Sequence, residues 1–171
     1  RTLVVVPMKD PAKAKTRLAG ALDDAARLRL ARLLMARTLD WLCAARQPMR
    51  FALAVVTSSP EAARLARSRA VAVIDDGGAE TLNAALAAAV RAAQAQDIAR
   101  LVIIPADLAA PRDDDLSTLL ARRDAVVVCP AHDLGTNALM LSRPGVIPLA
   151  YGAKSALHHL NAASMIGVNH A

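Results

Sequence analysis

The sequence has few aromatic residues and few cysteines, and each shortage excludes a class of function. Trp41, Phe51 and Tyr151 are the only aromatic side chains in 171 residues. That is too few to stack the bases of a single strand as RRM and OB-fold domains do, so we expect no nucleic-acid partner. Cys43 and Cys129 lie far apart and belong to no CxxC or Cys/His cluster. A zinc site therefore lacks ligands, and we expect both cysteines to be reduced core residues.

Long apolar runs and targeting signals are also absent. No apolar stretch approaches the roughly 20 residues of a membrane span, and the N-terminus lacks the three regions of a signal peptide. We therefore expect a cytoplasmic protein without a membrane partner. The net charge of +6 comes mainly from arginines scattered along alanine-rich segments, so the basicity reflects composition and not a nucleic-acid surface.

Seven glycines and a hydrophobic content of 55% argue against disorder, and the length suits one domain over residues 1–171. Short, continuously apolar segments alternate with segments of helical periodicity. This pattern predicts a three-layer α/β domain whose mostly parallel sheet is covered on both faces. The last two strands are close in sequence, which favours a mixed sheet with an antiparallel edge. The predicted strands are 3–6, 50–57, 71–74, 101–104, 125–129 and 137–141, and the predicted helices are 23–45, one after Ser59, about 82–94, about 111–122 and 154–165.

A cationic loop follows the first predicted strand. It holds three of the four lysines in the chain, with Arg17 close behind: Lys9, Lys13 and Lys15. Loops at the carboxyl ends of parallel strands commonly bind ligands, and Lys and Arg suit phosphate oxygens. No GxGxxG or GxxxxGK[ST] motif is present, so phosphate binding here depends on side-chain cations. The alternative is a solvated basic loop.

Two polar residues follow other predicted strands. Asp107 comes directly after the fourth strand and suits Mg²⁺, which takes one or two protein oxygens together with substrate phosphates. The alternative for Asp107 is an N-cap or a solvated turn residue. Asn83 lies in the first turn of a helix, where its amide can read a base edge or cap the backbone.

Six short motifs are spread over nearly the whole chain: Val6-Pro7-Met8-Lys9, Ala14-Lys15-Thr16-Arg17-Leu18, Val56-Thr57-Ser58, Leu82-Asn83-Ala84-Ala85-Leu86, Ile104-Pro105-Ala106-Asp107-Leu108 and Gly135-Thr136-Asn137-Ala138-Leu139. In this order they resemble the guanylyltransferases that make the deazaflavin coenzyme F-420, which act on 2-phospholactate, phosphoenolpyruvate or 3-phosphoglycerate. The resemblance implies the nucleotidyltransferase fold, which is related to that of nucleotide-diphospho-sugar transferases.

The resemblance also implies a reaction and a set of site residues. A phosphorylated three-carbon acid attacks the α-phosphorus of GTP, and pyrophosphate leaves. Lys15, Arg17 and Asp107 are the catalytic residues it implies, and Asp107 ligates Mg²⁺. The implied nucleotide-binding residues are Pro7, Lys9, Lys15, Arg17, Thr57, Asn83 and Pro105, and the implied acceptor-binding residues are Thr136, Gly152 and Ser155.

The acceptor residues have a local argument as well. Gly152 allows close backbone approach, and Ser155 lies at the start of the last predicted helix, where free N–H groups favour an anion. Lys154 adds positive charge. The alternative is an ordinary serine N-cap.

Two functions other than guanylyl transfer are compatible with parts of the sequence. A metal-dependent glycosyltransferase would normally have an Asp-x-Asp pair, which Asp107-Leu108-Ala109 does not supply. A non-catalytic basic module would explain the charge but leave the motif order to chance.

The chain departs from the family in two places. The family continues past the last helix into a strand with further aspartates, so we expect the domain to lack its C-terminal segment, and the loop over 131–134 is shorter than usual. The sequence does not decide whether the protein forms a homodimer.

Overall fold

The computed structural model describes residues 1–13 and 20–171, in which a mixed sheet lies between two layers of helices. A short 3-10 helix, Pro11–Lys13, follows the first strand. The strands are β1 (Thr2–Pro7), β2 (Ala52–Val56), β3 (Ala72–Ile74), β4 (Arg100–Ile103), β5 (Val126–Pro130) and β6 (Thr136–Leu141). The helices are α1 (Asp24–Ala45), α2 (Pro60–Arg67), α3 (Leu82–Ala95), α4 (Asp113–Ala121) and α5 (Ser155–Met165).

The central strands are buried on both faces, which explains their continuously apolar sequences. In β1, Val4 and Val6 point into the core shared with α1, α2 and α4, whereas Leu3 and Val5 point into the core shared with α3 and α5. Side chains alternate between the two faces of a strand, so an apolar residue is needed at every position. The predicted three-layer arrangement is confirmed.

The strand order among the described residues is β3-β2-β1-β4-β6-β5. Strands β1 to β4 are parallel, and β6 is antiparallel to both of its neighbours. The prediction of a mixed sheet with an antiparallel edge is confirmed, since β5 and β6 form an antiparallel pair at one side of the sheet; the reversed strand β6 lies between β4 and β5. The short connection from β5 to β6 forces only this one pair to be antiparallel, and the sequence does not say which of the two strands joins β4.

Side-chain caps begin three of the helices where the sequence predicts them. The carboxylate of Asp23 accepts from Ala26 N at 2.7 Å, the hydroxyl of Ser59 from Ala62 N at 3.4 Å, and the hydroxyl of Thr81 from Ala84 N at 3.2 Å. Each satisfies an N–H group that has no partner inside its helix. Helix α4 has no such cap, since its N-cap residue is Arg112.

The two cysteines are free, as predicted; both are half-buried and pack against the core without being fully enclosed in it. Burial raises the pKa of the Cys129 thiol, which keeps it protonated. Within the described ranges, no helix combines the length and apolar character needed to cross a membrane.

Candidate active site

The carboxyl ends of β1, β2 and β4 meet at one edge of the sheet. Pro7 pairs with Val56 at the ends of β1 and β2, and Ile104 N donates to Val5 O at 3.0 Å. The loops that follow these strands therefore leave side by side. Three residues predicted to bind nucleotide lie at this edge: Pro7, Thr57 and Pro105.

The cationic loop begins at this edge and reaches towards α3. Lys9 is exposed, and its Nζ donates to Glu80 O at 3.4 Å, just before the start of α3. This contact connects the loop after β1 with the segment that carries Asn83. Lys15 and Arg17 lie outside the described residues, so their phosphate-binding role stays a prediction.

Asp107 is exposed and follows β4 by four residues. Its loop is held from α1, where the buried Thr38 hydroxyl donates to Ala106 O at 3.2 Å. The N-cap of α4 is Arg112, so the alternative reading of Asp107 as the cap of that helix is wrong. The parts of the chain that the structure describes contain no group of three or more His, Cys, Asp or Glu side chains suited to a metal. A single carboxylate fits Mg²⁺ that completes its shell with water and phosphate.

Thr57 is buried and orders the turn between β2 and α2. Its N–H donates to Ile74 O at 3.0 Å, and its hydroxyl accepts from Ser59 N at 2.9 Å. These bonds fix the backbone where the chain leaves the sheet. The predicted contact with nucleotide stays a prediction.

Asn83 makes two hydrogen bonds to one backbone residue of a distant loop. Its Nδ2 donates to Tyr151 O at 2.9 Å, and its Oδ1 accepts from Tyr151 N at 2.8 Å. Thr81 caps α3, so Asn83 is not the cap of its own helix. One N–H hydrogen and one lone pair of the amide are left for a base, and guanine contact by Asn83 stays a prediction.

Replacing Asn83 should therefore destabilise the fold as well as any nucleotide contact. In Asn83→Ala both half-buried backbone groups of Tyr151 lose their partners, and we expect the free energy of unfolding to fall by about 1–3 kcal/mol in urea titrations. Gln94→Ala, on the same helix, removes a single bond to Pro144 O and should cost less. A lost preference for GTP over ATP at unchanged stability would contradict this reading and assign Asn83 to base recognition alone.

Thr136 and Ser155, predicted to bind the acceptor, lie in contact. Their hydroxyl oxygens are 2.8 Å apart, and Thr136 Oγ1 is also 3.2 Å from His159 Nδ1. Ile103 pairs with Leu139 across β4 and β6, so the start of β6 extends past the carboxyl end of β4. The reversed direction of β6 thus carries Thr136 to the same edge as Asp107.

The N–H groups that begin α5 are not free, so the sequence argument for an anion site there is wrong. Ser155 N donates to Gly152 O at 3.3 Å, Ala156 N to Leu134 O at 3.0 Å, and Leu157 N to Lys154 O at 3.0 Å. The N-cap residue is Lys154, which makes no side-chain cap bond, so the serine N-cap alternative is wrong too. An anion here would be bound by the hydroxyls and not by the helix terminus.

Gly152 is required for its backbone conformation. Its φ of 153° lies outside the range that other residues readily adopt, and an added Cβ would meet no atom of the described residues within 4 Å. The space beside Gly152 is open, which is compatible with a ligand next to the Thr136 and Ser155 hydroxyls. Its acceptor contact stays a prediction.

His159, which the sequence analysis missed, completes this cluster. It is fully buried, and its Nε2 accepts from Ala150 N at 3.0 Å. The ring of Tyr151 meets the imidazole edge to face, with ring centroids 5.0 Å apart. The available sequence signal was the spacing of four between Ser155 and His159, which puts both on one face of a helix.

The burial of His159 predicts a stability change with pH. Burial, and to a smaller degree His158, lowers the pKa of His159 from its usual 6.5 to about 4. Below about pH 6.5, His159 is protonated in the unfolded chain but stays neutral in the folded chain. The folded state therefore loses stability as pH falls towards 4. Between pH 7.5 and 5 we expect a loss of about 1–2 kcal/mol in urea unfolding. His159→Gln should remove most of this loss and His158→Gln should keep it; equal slopes in both variants would contradict the assignment.

A cavity of about 750 Å³ lies between α4 and strands β5 and β6. Among the described residues, its lining is mostly apolar and contains none of those predicted from the sequence to bind nucleotide, metal or acceptor. The lining includes Leu116, Leu119, Val127, Cys129 and Ala138. The cavity borders the carboxyl edge of the sheet, because Leu108 and Asn137, the chain neighbours of Asp107 and Thr136, are part of its lining.

Comparisons with known proteins identify the family of this chain. A family model described as "Guanylyl transferase CofC like" matches residues 2–171. A 3-phospho-D-glycerate guanylyltransferase from Colwellia psychrerythraea is 35% identical over 93% of this chain and 76% of its own length. A phosphoenolpyruvate guanylyltransferase from Chloroflexus aggregans is 33% identical over 96% of this chain and 84% of its own length. A 2-phospho-L-lactate guanylyltransferase from Methanothermobacter thermautotrophicus is 30% identical over 99% and 74%.

Solved structures show the same fold. A protein from Desulfovibrio desulfuricans described as a nucleotide-diphospho-sugar transferase superposes with a TM-score of 0.74, covering 99% of this chain and 78% of its own, at 15% identity. A CMP:2-keto-3-deoxy-manno-octonic acid synthetase complexed with CTP has a TM-score of 0.52 at 12% identity, covering 99% and 88%. The predicted nucleotidyltransferase-like fold is confirmed.

Proposed function

The chain belongs to the family of CofC-like guanylyl transferases, and we propose that it transfers GMP from GTP to a small phosphorylated carboxylic acid. A phosphate oxygen of the acid attacks the α-phosphorus of GTP. The bond between the α-phosphorus and the bridging oxygen to the β-phosphorus breaks, and pyrophosphate leaves. The product is a guanylylated acid with a new diphosphate bridge.

One observation carries the proposal: the two halves of the candidate site share a single edge of the sheet. The cationic loop and Asp107 follow the parallel strands β1 and β4, and Thr136 begins the reversed strand β6. A transfer between two anionic substrates needs them side by side and in line, so adjacency at one edge supports this reaction class.

The chemistry asks the protein for positioning and charge neutralisation, and no covalent nucleophile is needed. Lys15 and Arg17 would hold the triphosphate of GTP and stabilise the charge that develops on the leaving pyrophosphate, with Lys9 beside them. The contact between Lys9 and Glu80 supports an approach of this loop to α3, where Asn83 would lie near the guanine.

Asp107 would hold a divalent metal, which we propose is Mg²⁺. When bound, such an ion neutralises phosphate charge and orients the two substrates. The exposure of the Asp107 side chain and the anchoring of its loop through Thr38 support this role.

The acceptor would lie against the hydroxyls of Thr136 and Ser155, next to Gly152. Acceptor chemistry comes from the relatives, whose names specify phosphoenolpyruvate, 2-phospho-L-lactate or 3-phospho-D-glycerate. We propose one of these three acids as the acceptor, with a cytoplasmic role in the biosynthesis of coenzyme F-420.

In the test, the protein is incubated with Mg²⁺, one nucleoside triphosphate and one of the three acids. Pyrophosphate release and the mass of the product are measured for all combinations. We expect release only with GTP and at least one acid, together with a product that contains one GMP and one acid.

Three outcomes would overturn the proposal. Pyrophosphate release without a joined product would indicate a hydrolase. Transfer from a sugar nucleotide, offered in a parallel incubation in place of the triphosphate, would indicate a glycosyltransferase. No reaction in any combination would leave the basic binding module as the better reading.

A further inference from the structure

We infer that His159 is a positioning residue that keeps the hydroxyl pair of Thr136 and Ser155 available as a hydrogen-bond donor to the anionic acceptor. The inference rests on the proposed function for the identity of the acceptor. The three side chains form a connected chain that begins at the backbone of Ala150.

The backbone of Ala150 decides which ring nitrogen of His159 carries the proton. Ala150 N can only donate, and it lies 3.0 Å from Nε2, so Nε2 must accept. In a neutral imidazole the proton is then on Nδ1. The low pKa of His159, about 4, supports the neutral ring near pH 7.

The tautomer of His159 decides how many hydroxyl hydrogens Thr136 and Ser155 can offer to a ligand. Thr136 and Ser155 have two hydroxyl hydrogens, and the bond between their oxygens uses one of them. Because Nδ1–H donates to Thr136 Oγ1, the histidine takes no hydrogen from the pair. One hydroxyl hydrogen is therefore left for a ligand. The opposite tautomer would accept from Thr136 and leave none, and an anion needs donors.

The surroundings hold the ring and Ala150 in place. His159 is fully buried and lies against the Tyr151 ring. The bonds from Asn83 fix the backbone of Tyr151, the residue after Ala150. The bond between Ala150 and Nε2 is thus built on a backbone segment that is itself anchored from α3.

The first test compares steady-state kinetics of wild type, His159→Gln and His159→Met, with His158→Gln as the matched control on the exposed face of α5. A glutamine amide can donate to Thr136 and accept from Ala150, whereas methionine keeps the size and can donate nothing. For His159→Met we expect the KM for the acceptor to rise by about tenfold or more, with the KM for GTP within about twofold. His159→Gln should restore most of the acceptor affinity.

A folded and active His159→Met enzyme with an unchanged acceptor KM would overturn the inference while leaving the guanylyltransferase assignment intact. Equal rises in the KM values for GTP and acceptor would overturn it too, because they would indicate a general structural role. An inactive wild type would instead count against the proposed function.

The second test needs no activity and no variant. In ¹H–¹⁵N correlation spectra of the wild-type imidazoles at neutral pH, Nδ1 of His159 should be protonated and Nε2 should not. A proton on Nε2 would overturn the inference, whatever the kinetics show.

Discussion

Asp107→Asn should reduce metal-dependent turnover by about 10²-fold or more while hardly changing stability. The substitution keeps the shape and hydrogen-bonding reach of the side chain but removes the negative charge that a hard cation requires. Since Asp107 is exposed and asparagine keeps its hydrogen-bonding reach, we expect the free energy of unfolding to change by no more than about 1 kcal/mol. The measurements are kcat/KM for GTP across a Mg²⁺ titration and urea unfolding of both proteins.

Asp97→Asn is the matched control, because Asp97 is an exposed aspartate before the amino end of β4, at the opposite edge of the sheet. Its turnover should equal that of wild type. A large loss of stability in Asp107→Asn, with turnover per folded molecule preserved, would identify Asp107 as a structural turn residue and remove it from the metal site.

Lys15→Ala and Arg17→Ala should each lower kcat/KM for GTP by roughly 10²-fold or more, the effect of losing a few kcal/mol of charge-assisted bonding at a reacting centre. The two residues follow the central strand β1, whose neighbours β2 and β4 end at the same edge. The loop lacks a glycine-rich phosphate-binding motif, so backbone N–H groups of such a motif cannot replace the lost cations.

The conservative exchanges Lys15→Arg and Arg17→Lys should recover part of the activity, because they keep the charge but not the geometry. Arg123→Ala is the control and should behave as wild type, because Arg123 is an exposed cation before the amino end of β5, opposite the carboxyl edge of the sheet. If both alanine variants use GTP almost normally, the loop is a solvated basic surface and does not bind the triphosphate.

Helix starts and buried strands could be predicted because their causes are local. A capping side chain such as Asp23, Ser59 or Thr81 bonds an N–H three residues away, so cap and partner are adjacent in the sequence. Continuous apolar runs such as Val4 to Val6 indicate burial on both faces. The motif order then predicted the family, which the family model over residues 2–171 confirms.

Parts of the site could not be predicted because their partners lie far apart in the chain. Asn83 bonds a backbone 68 residues away, and the histidine that contacts Thr136 lies 23 residues further on. Local reasoning read Ser155 as the start of a helix with free N–H groups. In the structure these N–H groups donate to backbone carbonyls instead: to that of Leu134, in the turn before β6, and to those of Gly152 and Lys154, just before α5.

The sequence by itself determined the three-layer α/β class, the positions of the strands and helices, and the cationic loop, since each follows from periodicity, capping or charge within a few residues. Only the tertiary structure decided that β6 enters the sheet reversed between β4 and β5, which brings Thr136 to the edge where Asp107 lies. It also decided that Ala150 N–H faces Nε2 of His159. The physical reason is that strand order and hydrogen-bond direction depend on groups that meet only after the chain has folded.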